Sequence, residues 1–336
     1  MSSTQFDVFF YEAFQEEVIF LKRYLKKNIR AGFSSKTIQE NKDPSPPSTL
    51  ISVRTQSVIP DRWSLELRGI LSRSTGYEHL LRYREGNGLS LPCGYLPLYC
   101  SKSVAEQALL LWMALMRKLP QQMRQFKTFN RNGLTGLECF GKTLLVVGVG
   151  HMGVEIARLG EALGMKILGV DIVRKHPSIS YVSIDKGLSE ADVIVCAMNL
   201  TSDNLDYFSY SRLKKVKKGA IFINVARGEL SPSSDLLKLL REGCLGGVGL
   251  DVFDKEETLS RILRSQKRSH DPELRSAAQL SKHPFVICTP HNAFNTLEAL
   301  DRKAQQSVRQ IRCFLEKGRF IWPIPFYGPE GSKPHH

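Results

Sequence analysis

Short apolar runs alternate with amphipathic segments along the second half of the chain. Between residues 141 and 290, apolar and β-branched runs predict strands at residues 144–148, 166–171, 193–197, 220–224, 248–251 and 285–289. Residues 156, 159, 160 and 163 lie on one helical face, and Gly164 follows as a C-terminal cap. Short apolar strands separated by helices predict an α/β fold with a doubly wound parallel sheet.

The segments on either side have a different pattern. Residues 1–100 contain short apolar runs, and a stretch rich in Pro and Ser at 34–49 predicts a loop. Ser103 and Glu106 form a capping-box pattern before a long apolar segment, which predicts that a buried helix begins there. Residues 296–317 predict an amphipathic helix that ends at Gly318, with positions 297, 300, 304, 308, 311 and 315 on its apolar face.

A glycine-rich turn follows the first predicted strand. Gly148, Gly150 and Gly153 have the G-x-G-x-x-G spacing, and Asp171 ends the next predicted strand. Between a strand and a helix, this pattern is the fingerprint of a dinucleotide-binding Rossmann fold. The helix N-terminus would bind the pyrophosphate, and Asp171 would accept hydrogen bonds from the adenine ribose and repel a 2′-phosphate. We therefore expect NAD rather than NADP.

Three polar signatures follow later strands. Arg227 lies after the strand at 220–224, Glu256 after 248–251 and His291 after 285–289, and ligands of such sheets bind beyond the carboxyl ends of the strands. Reduction of a ketone by hydride requires a proton donor, for which an imidazolium is suited. A neighbouring carboxylate favours the charged imidazole, and a guanidinium binds a substrate carboxylate. These residues predict a catalytic site with His291 as acid and base.

The chain resembles the D-isomer-specific 2-hydroxyacid dehydrogenase family, most closely its D-lactate dehydrogenases. The segments SRSTGYEHL, SVAEQALLLWMALMRKL, GVGHMG and TPHNAF carry the likeness, and NRNGLTGLECFGKT is typical of the D-lactate branch. The resemblance implies a discontinuous flavodoxin-like α/β substrate domain (residues 1–100 and 295–330), a Rossmann NAD-binding domain (101–294) and a disordered tail (331–336). It also implies a homodimer that interconverts a small 2-keto acid and its D-2-hydroxy acid, with pyruvate and D-lactate favoured.

Further site residues follow from the same resemblance. The substrate-binding residues would be Ser74, Thr75, Gly76, Tyr99 and Phe294. The cofactor-binding residues would be Gly148, Gly150, His151, Met152, Gly153, Asp171, Asn199, Thr201, Ala226 and Asp251. The chain departs from the family where Glu257, rather than the usual Pro, follows the catalytic Glu. The basic insert at 261–282 has no counterpart, and a lid, an interface and a surface loop all stay open for it.

Composition limits the other function classes. The formal net charge is +14, but no zinc-finger spacing or RNP-type aromatic pattern accompanies it, so we expect a solvated basic surface and no nucleic-acid partner. The seven cysteines form no C-x-x-C pair, which indicates reduced thiols and no metal site. The chain shows neither a signal-peptide pattern nor an apolar run of membrane-spanning length, so we expect a cytoplasmic protein without a membrane partner.

Two alternatives remain beside a D-lactate dehydrogenase. One is a dehydrogenase of another small acid, either a larger D-2-hydroxy acid or phosphite. The phosphite enzyme would have Lys where this chain has Thr75. The other is a nicotinamide-sensing binding protein that resembles a corepressor, against which the intact Arg227, Glu256 and His291 argue.

Overall fold

The structure is a computed structural model that describes residues 5–88, 90–265 and 269–325. The chain divides into two compact units. The first unit comprises residues 1–100 and 295–336, and the second comprises residues 101–294. The tail expected at 331–336 lies outside the described residues.

A five-stranded parallel sheet with the order β2-β1-β3-β4-β5 forms the centre of the first unit. Its elements up to residue 100 are β1 (Val8–Phe10), α1 (Gln15–Tyr24), β2 (Ala31–Phe33), α2 (Ile38–Asn41), β3 (Leu50–Val53), β4 (Gly69–Ser72), α3 (Glu78–Asn87) and β5 (Cys93–Gly94). The core includes the fully buried side chains of Ile51, Trp63 and Ile70.

Helix α2 lies inside the stretch that was expected to be a loop. The Thr37 side chain accepts from the Glu40 amide, and the Glu40 carboxylate accepts from the Thr37 amide at 2.9 Å. This reciprocal cap stabilises one helical turn. The loop prediction was therefore wrong at these residues, because it relied on the Pro and Ser content of the stretch and did not use the capping pattern of Thr37 and Glu40.

The second unit contains a seven-stranded parallel sheet with the order β12-β11-β10-β9-β6-β7-β8. Its elements are α4 (Ser101–Met116), α5 (Leu119–Gln125), β6 (Thr143–Val147), α6 (His151–Ala162), β7 (Lys166–Val170), β8 (Ser180–Tyr181), α7 (Ile184–Glu190), β9 (Val193–Cys196), α8 (Tyr210–Leu213), β10 (Ala220–Asn224), α9 (Ser233–Arg241), β11 (Leu245–Leu250), α10 (Glu256–Ser265), α11 (Pro272–Leu280) and β12 (Val286–Cys288). The α/β class with parallel sheets is confirmed.

Helix α4 begins at Ser101, before the expected capping residue. Ser103 is the third residue of the helix, and its hydroxyl donates to the Phe294 carbonyl at 3.5 Å instead of capping the helix. The capping-box prediction was wrong, because the same Ser-x-x-Glu spacing also fits a helix interior. The helix is buried as expected, with Leu111 and Trp112 in the core.

Helix α12 (Leu297–Lys317) completes the first unit and packs on α1. The Thr296 hydroxyl caps it by accepting from the Ala299 amide, and Gly318 ends it at φ 66°. The predicted apolar face is wrong at both ends, where Leu297 and Leu315 are exposed. The polar residues Lys303, Ser307 and Gln310 are buried instead. Lys303 pairs with Glu17 and Gln310 donates to the Tyr95 carbonyl, whereas Ser307 donates to the Lys303 carbonyl one turn back in the helix.

The basic insert at 261–282 comprises the end of α10 and the whole of α11, and its residues 266–268 are outside the described part of the chain. No helix among the described residues has the length and apolar character needed to span a bilayer.

Candidate active site

The glycine-rich turn joins β6 to α6 in the second unit. Gly148 has φ +93° and lies against the Met198 backbone, so a side chain would be strained and obstructed there. A Cβ added to Gly153 would overlap the Gly148 carbonyl oxygen, whereas one added to Gly150 would have no described atom within 4 Å. The turn is therefore packed on its inner side and open in front of the α6 N-terminus. This arrangement fits the close approach of a dinucleotide pyrophosphate.

Asp171 follows β7 and supports this turn. Its Oδ2 accepts from the Val149 amide at 2.6 Å and its Oδ1 accepts from the Val173 amide at 2.9 Å. A carboxylate has about four lone-pair sites, so both oxygens retain acceptor capacity for ribose hydroxyls. Asp171 thus positions the turn and also fits the recognition of an adenine ribose.

The other expected cofactor residues also belong to the second unit. His151 is exposed and Met152 is half-buried at the start of α6. Asn199 and Thr201 are exposed after β9; the Asn204 side chain donates to the Asn199 carbonyl at 2.8 Å and accepts from the Thr201 amide at 2.7 Å.

The loop after β10 carries Arg227. Its position depends on the fully buried Asn224, whose side-chain amide donates to the Arg227 carbonyl and to Ser231 Oγ, each at 2.8 Å. Asn224 Oδ1 accepts from the buried Ala226 amide at 2.9 Å. The half-buried Arg227 donates from one Nη to the Ala226 carbonyl at 2.7 Å. Asn224 was not among the predicted site residues, although its place at a strand end was a usable signal.

Asp251 holds the loop that carries His291. Its buried carboxylate accepts from the Thr289 hydroxyl at 2.5 Å and from the Asn292 and Ala293 amides at 2.9 Å, and its carbonyl accepts from the His291 amide at 2.8 Å. Burial raises the pKa of Asp251, while these hydrogen bonds oppose the rise. His291 itself has φ +50°, a left-handed conformation that is uncommon for a non-glycine residue. The surrounding bonds hold it there.

The side chains of His291 and Glu256 meet. The imidazole Nδ1 lies 2.8 Å from Glu256 Oε2, and both side chains are about two-fifths exposed (40% and 39%). The other carboxylate oxygen accepts from the Phe253 amide at 3.1 Å. The half-buried Phe294 ring is 6.2 Å from the imidazole, centroid to centroid. The geometry places a carboxylate where it orients the histidine ring.

Gly228 brings the Arg227 loop against the Glu256 loop. A Cβ at this position would overlap the Phe253 carbonyl carbon and the Asp254 nitrogen, so only glycine allows the contact. Beside it, burial raises the pKa of Glu229, and the charges of Asp254 and Glu256 add to that rise while Arg227 opposes it. Gly228 was also absent from the predicted site. The structure thus joins the Arg227 and Glu256 segments, and Glu256 in turn contacts His291.

The expected substrate turn lies in the first unit, directly after β4. Ser74 Oγ donates to the Gly76 carbonyl at 2.6 Å, and Thr75 Oγ1 donates to the Leu96 carbonyl at 3.2 Å. Tyr99 is buried, and its carbonyl accepts from Arg302 Nε at 2.9 Å. The turn and the segment that carries Tyr99 are therefore tied together within this unit.

Known proteins share this sequence pattern. Residues 109–293, more than half of the chain, match the sequence profile described as D-isomer specific 2-hydroxyacid dehydrogenase, NAD binding domain. The D-lactate dehydrogenase of Escherichia coli (strain K12) is 31% identical over 239 residues, which cover 68% of this chain and 70% of that protein. The chain belongs to the D-isomer specific 2-hydroxyacid dehydrogenase family.

Other members of the family are similar to this dehydrogenase in sequence and in structure. An aromatic 2-oxoacid reductase of Clostridium sporogenes is 31% identical over 229 residues, which cover 66% of this chain and 68% of the reductase. The crystal structure of a D-lactate dehydrogenase from Aquifex aeolicus, complexed with NAD and lactic acid, matches with a TM-score of 0.81 and 27% identity over 94% of this chain and 98% of that chain. The dehydrogenase is an NAD-dependent oxidoreductase, which confirms the expected family, enzyme class and cofactor. The assignments of single residues stay predictions.

Proposed function

We propose that the enzyme interconverts pyruvate, or another short 2-keto acid, and the corresponding D-2-hydroxy acid. The observation that carries this proposal is the contact between His291 Nδ1 and Glu256 Oε2 at 2.8 Å, on segments that follow neighbouring parallel strands. The backbone contact at Gly228 adds Arg227 to the same edge of the sheet. Names among the relatives, D-lactate dehydrogenase and aromatic 2-oxoacid reductase, support a 2-keto acid substrate.

Each catalytic residue has a separate role in the proposed reaction. Because Glu256 engages Nδ1, Nε2 of His291 is the nitrogen that gives a proton to the keto oxygen and takes it back in the reverse direction. Glu256 orients the ring and stabilises the imidazolium. Arg227 binds the substrate carboxylate and polarises the adjacent carbonyl. Bound NAD supplies or accepts the hydride.

The remaining assignments are part of the same proposal. Residues 1–100 and 295–330 would form the substrate domain and residues 101–294 the NAD-binding domain. The amides of the turn at 74–76 would bind the carboxylate, and Tyr99 and Phe294 would contact the substrate. Contacts to NAD would come from the residues at the start of α6 and at the strand ends, namely Gly148, Gly150, His151, Met152, Gly153, Asp171, Asn199, Thr201, Ala226 and Asp251.

A panel of 2-keto acids tests the function. Purified enzyme with NADH is given pyruvate, a branched-chain keto acid and an aromatic keto acid, and kcat/KM is compared; phosphite with NAD forms a separate arm. We expect pyruvate or a short homologue to have the highest kcat/KM. A higher kcat/KM with the aromatic acid or with phosphite would show that this compound, rather than pyruvate, is the substrate. If no keto acid led to oxidation of NADH, the reductase function would be refuted.

His291→Ala serves as the active-site variant in this panel. We expect its kcat to fall by about two to four orders of magnitude, since acid–base catalysis is lost. Its affinity for NADH, measured by fluorescence, should be retained, which separates loss of catalysis from loss of folding. Undiminished turnover would show that another group transfers the proton.

We also propose a homodimer formed through the second unit. Large apolar side chains are exposed along residues 110–140, namely Leu110, Leu119, Met123, Phe126, Phe129, Leu137 and Phe140. A concentration of exposed large apolar residues in one stretch of the chain is typical of an interaction site. Light scattering after gel filtration should give the mass of a dimer, and Phe126→Glu with Phe129→Glu should give a monomer. Leu65→Glu, at an exposed apolar residue of the first unit, is the control and should leave the dimer intact.

We further propose that the enzyme works in the cytoplasm. The seven cysteines, all in the described part of the chain, are free thiols, as is typical of a reducing compartment. Burial raises the pKa of Cys196 to about 12, which keeps this thiol protonated and unreactive. Cell fractionation checks the location, and recovery from a secreted fraction would contradict it.

A further inference from the structure

Three charged side chains are buried together inside the first unit. Glu17, Arg73 and Lys303 are 2%, 0% and 1% exposed. Glu17 Oε1 accepts from Arg73 Nε at 3.0 Å and from Lys303 Nζ at 2.9 Å. Two cations therefore share one carboxylate, and a protonated Lys303 leaves a surplus positive charge in the core. Because burial of unbalanced charge opposes folding, stabilisation alone does not account for this cluster.

Arg73 links the cluster to the strand ends. Its Nη2 donates to the Tyr11 carbonyl at 2.6 Å, just after β1, and its Nη1 donates to Ser52 Oγ at 3.1 Å in β3. Its backbone amide donates to the Val53 carbonyl at 2.7 Å. The residue that directly precedes the turn at 74–76 is thus held on three sides, and Glu17 provides the fourth contact.

Lys303 links the same cluster to Tyr99. Its Nζ lies 5.9 Å from the centroid of the Tyr99 ring, within the range of a cation–π interaction. Next to it in α12, Arg302 donates to the Tyr99 carbonyl. The Leu96 amide donates to the Ser74 carbonyl at 3.1 Å, which joins the Tyr99 segment to the turn. Lys303 therefore contacts both Glu17, which binds Arg73 next to the turn, and the ring of Tyr99.

Burial and the neighbouring charged groups together shift the pKa of Lys303. This lysine faces Glu17 from α1, Arg73 after β4, Arg54 after β3, and Tyr99 and Cys100 ahead of α4. Burial lowers the pKa of Lys303 to about 7; Glu17 opposes this shift, and the two arginines add to it. Burial by itself would raise the pKa of Glu17, but the charges of Arg73 and Lys303 lower it to about 2.

We propose that Lys303 is a positioning residue, whose ammonium group acts through Glu17 and Arg73 to hold the turn at 74–76 and the ring of Tyr99 in their substrate-binding arrangement. This inference rests on the proposed role of that turn. It predicts that the affinity for the keto acid is highest while Lys303 is protonated, and that the loss of the ammonium weakens binding rather than the chemical step.

The test compares Lys303→Met with the wild-type enzyme across pH, using the best keto acid from the panel. Methionine retains an apolar stem and leaves Glu17 paired with Arg73. We expect KM to rise about 3- to 10-fold in the variant below about pH 7 with kcat nearly unchanged, the signature of lost ground-state binding. The ratio of the two KM values should approach one as pH rises, because the wild-type lysine then loses its proton. This ratio cancels the titration of groups that both proteins share.

Arg23→Gln is the matched control. It removes an ion pair of 3.1 Å between Arg23 and Asp301, which joins the same helices α1 and α12 at the surface. Its KM should equal that of the wild type at every pH. A ratio of one for Lys303→Met at all pH values, or a raised ratio that does not change with pH, would overturn the proposal.

Hydrogen exchange gives a second measurement that does not depend on turnover. The amides of residues 74–76, 96 and 98–100 should exchange faster in Lys303→Met than in wild type and Arg23→Gln, and equal protection would refute the inference. If the wild type reduces no keto acid, the proposed function fails by itself, and the exchange result still decides the role of Lys303. NADH affinity reports whether the second unit is folded in each variant.

Discussion

His291 Nδ1 lies 2.8 Å from Glu256 Oε2, although one residue follows β12 and the other is the first residue of α10. Neither side chain is held by this contact alone. Asp251 holds the His291 loop, and the Phe253 amide donates to the second oxygen of Glu256. A pair supported in this way has a defined orientation, which the proposed acid–base role requires.

Replacement of the carboxylate tests this relationship. We expect Glu256→Gln to lower kcat by about 10- to 100-fold, because an amide does not fix the imidazole ring as a carboxylate does. Steady-state kinetics with the preferred keto acid measures the effect. Glu257→Gln, at the exposed next residue of α10, is the matched control and should keep near wild-type kcat. The reverse ranking would move the catalytic carboxylate to Glu257.

The backbone contact at Gly228 is the subject of a second prediction. In Gly228→Ala the new Cβ would overlap the Phe253–Asp254 peptide, so the two loops must separate. We expect the free energy of unfolding to fall by about 1–3 kcal/mol, as in other overpacked sites, and kcat/KM to fall with it. Urea unfolding and kinetics measure both.

Gly86→Ala is the control for that substitution. Gly86 lies in α3, where no described atom is within 4 Å of an added Cβ. The change should raise the free energy of unfolding by about 0.5–1 kcal/mol, since alanine is the better helix former. Equal behaviour of the two variants would show that the contact at Gly228 has no special importance.

Cofactor preference provides a third prediction. Asp171→Ala removes the charge that repels a 2′-phosphate, so the ratio of kcat/KM with NADH to kcat/KM with NADPH should fall. The KM for NADH should also rise, because Asp171 Oδ2 holds the Val149 amide of the glycine turn. Asp185→Ala, at an exposed residue of α7, should change neither quantity. An unaltered NADH-to-NADPH ratio in Asp171→Ala would assign the preference to other residues.

The buried lysine predicts a pH dependence of stability. In the folded protein, burial lowers the pKa of Lys303 from 10.5 to about 7. Between these values the unfolded chain binds a proton that the folded chain lacks, so the lysine makes the free energy of unfolding rise with pH. Lys303→Met lacks this contribution. Its stability relative to wild type should be greatest below pH 7 and should decline as pH rises, and a constant difference in urea unfolding would contradict the shifted pKa.

Several elements were predictable because their signals are local. Strands β6, β7, β9 and β10 were found within one residue, since buried parallel strands are continuous apolar runs. The predictions were wrong where one local sequence pattern is compatible with two structures. Ser103 matched a capping box but lies within α4, and Leu297 matched an apolar helix face but is exposed.

The order of apolar runs and the glycine spacing were sufficient to predict the α/β class, the glycine turn between β6 and α6 and the strand ends that carry Arg227, Glu256 and His291. Periodicity and chain order contain that information, because each strand and its following loop are continuous in sequence. Only the tertiary structure decided that Asp251 anchors the His291 loop and that Lys303 is buried beside Glu17. Both depend on partners that are remote in sequence. A polarity pattern predicts that such charged residues are exposed, because desolvation is costly, but pairing with these partners offsets the cost.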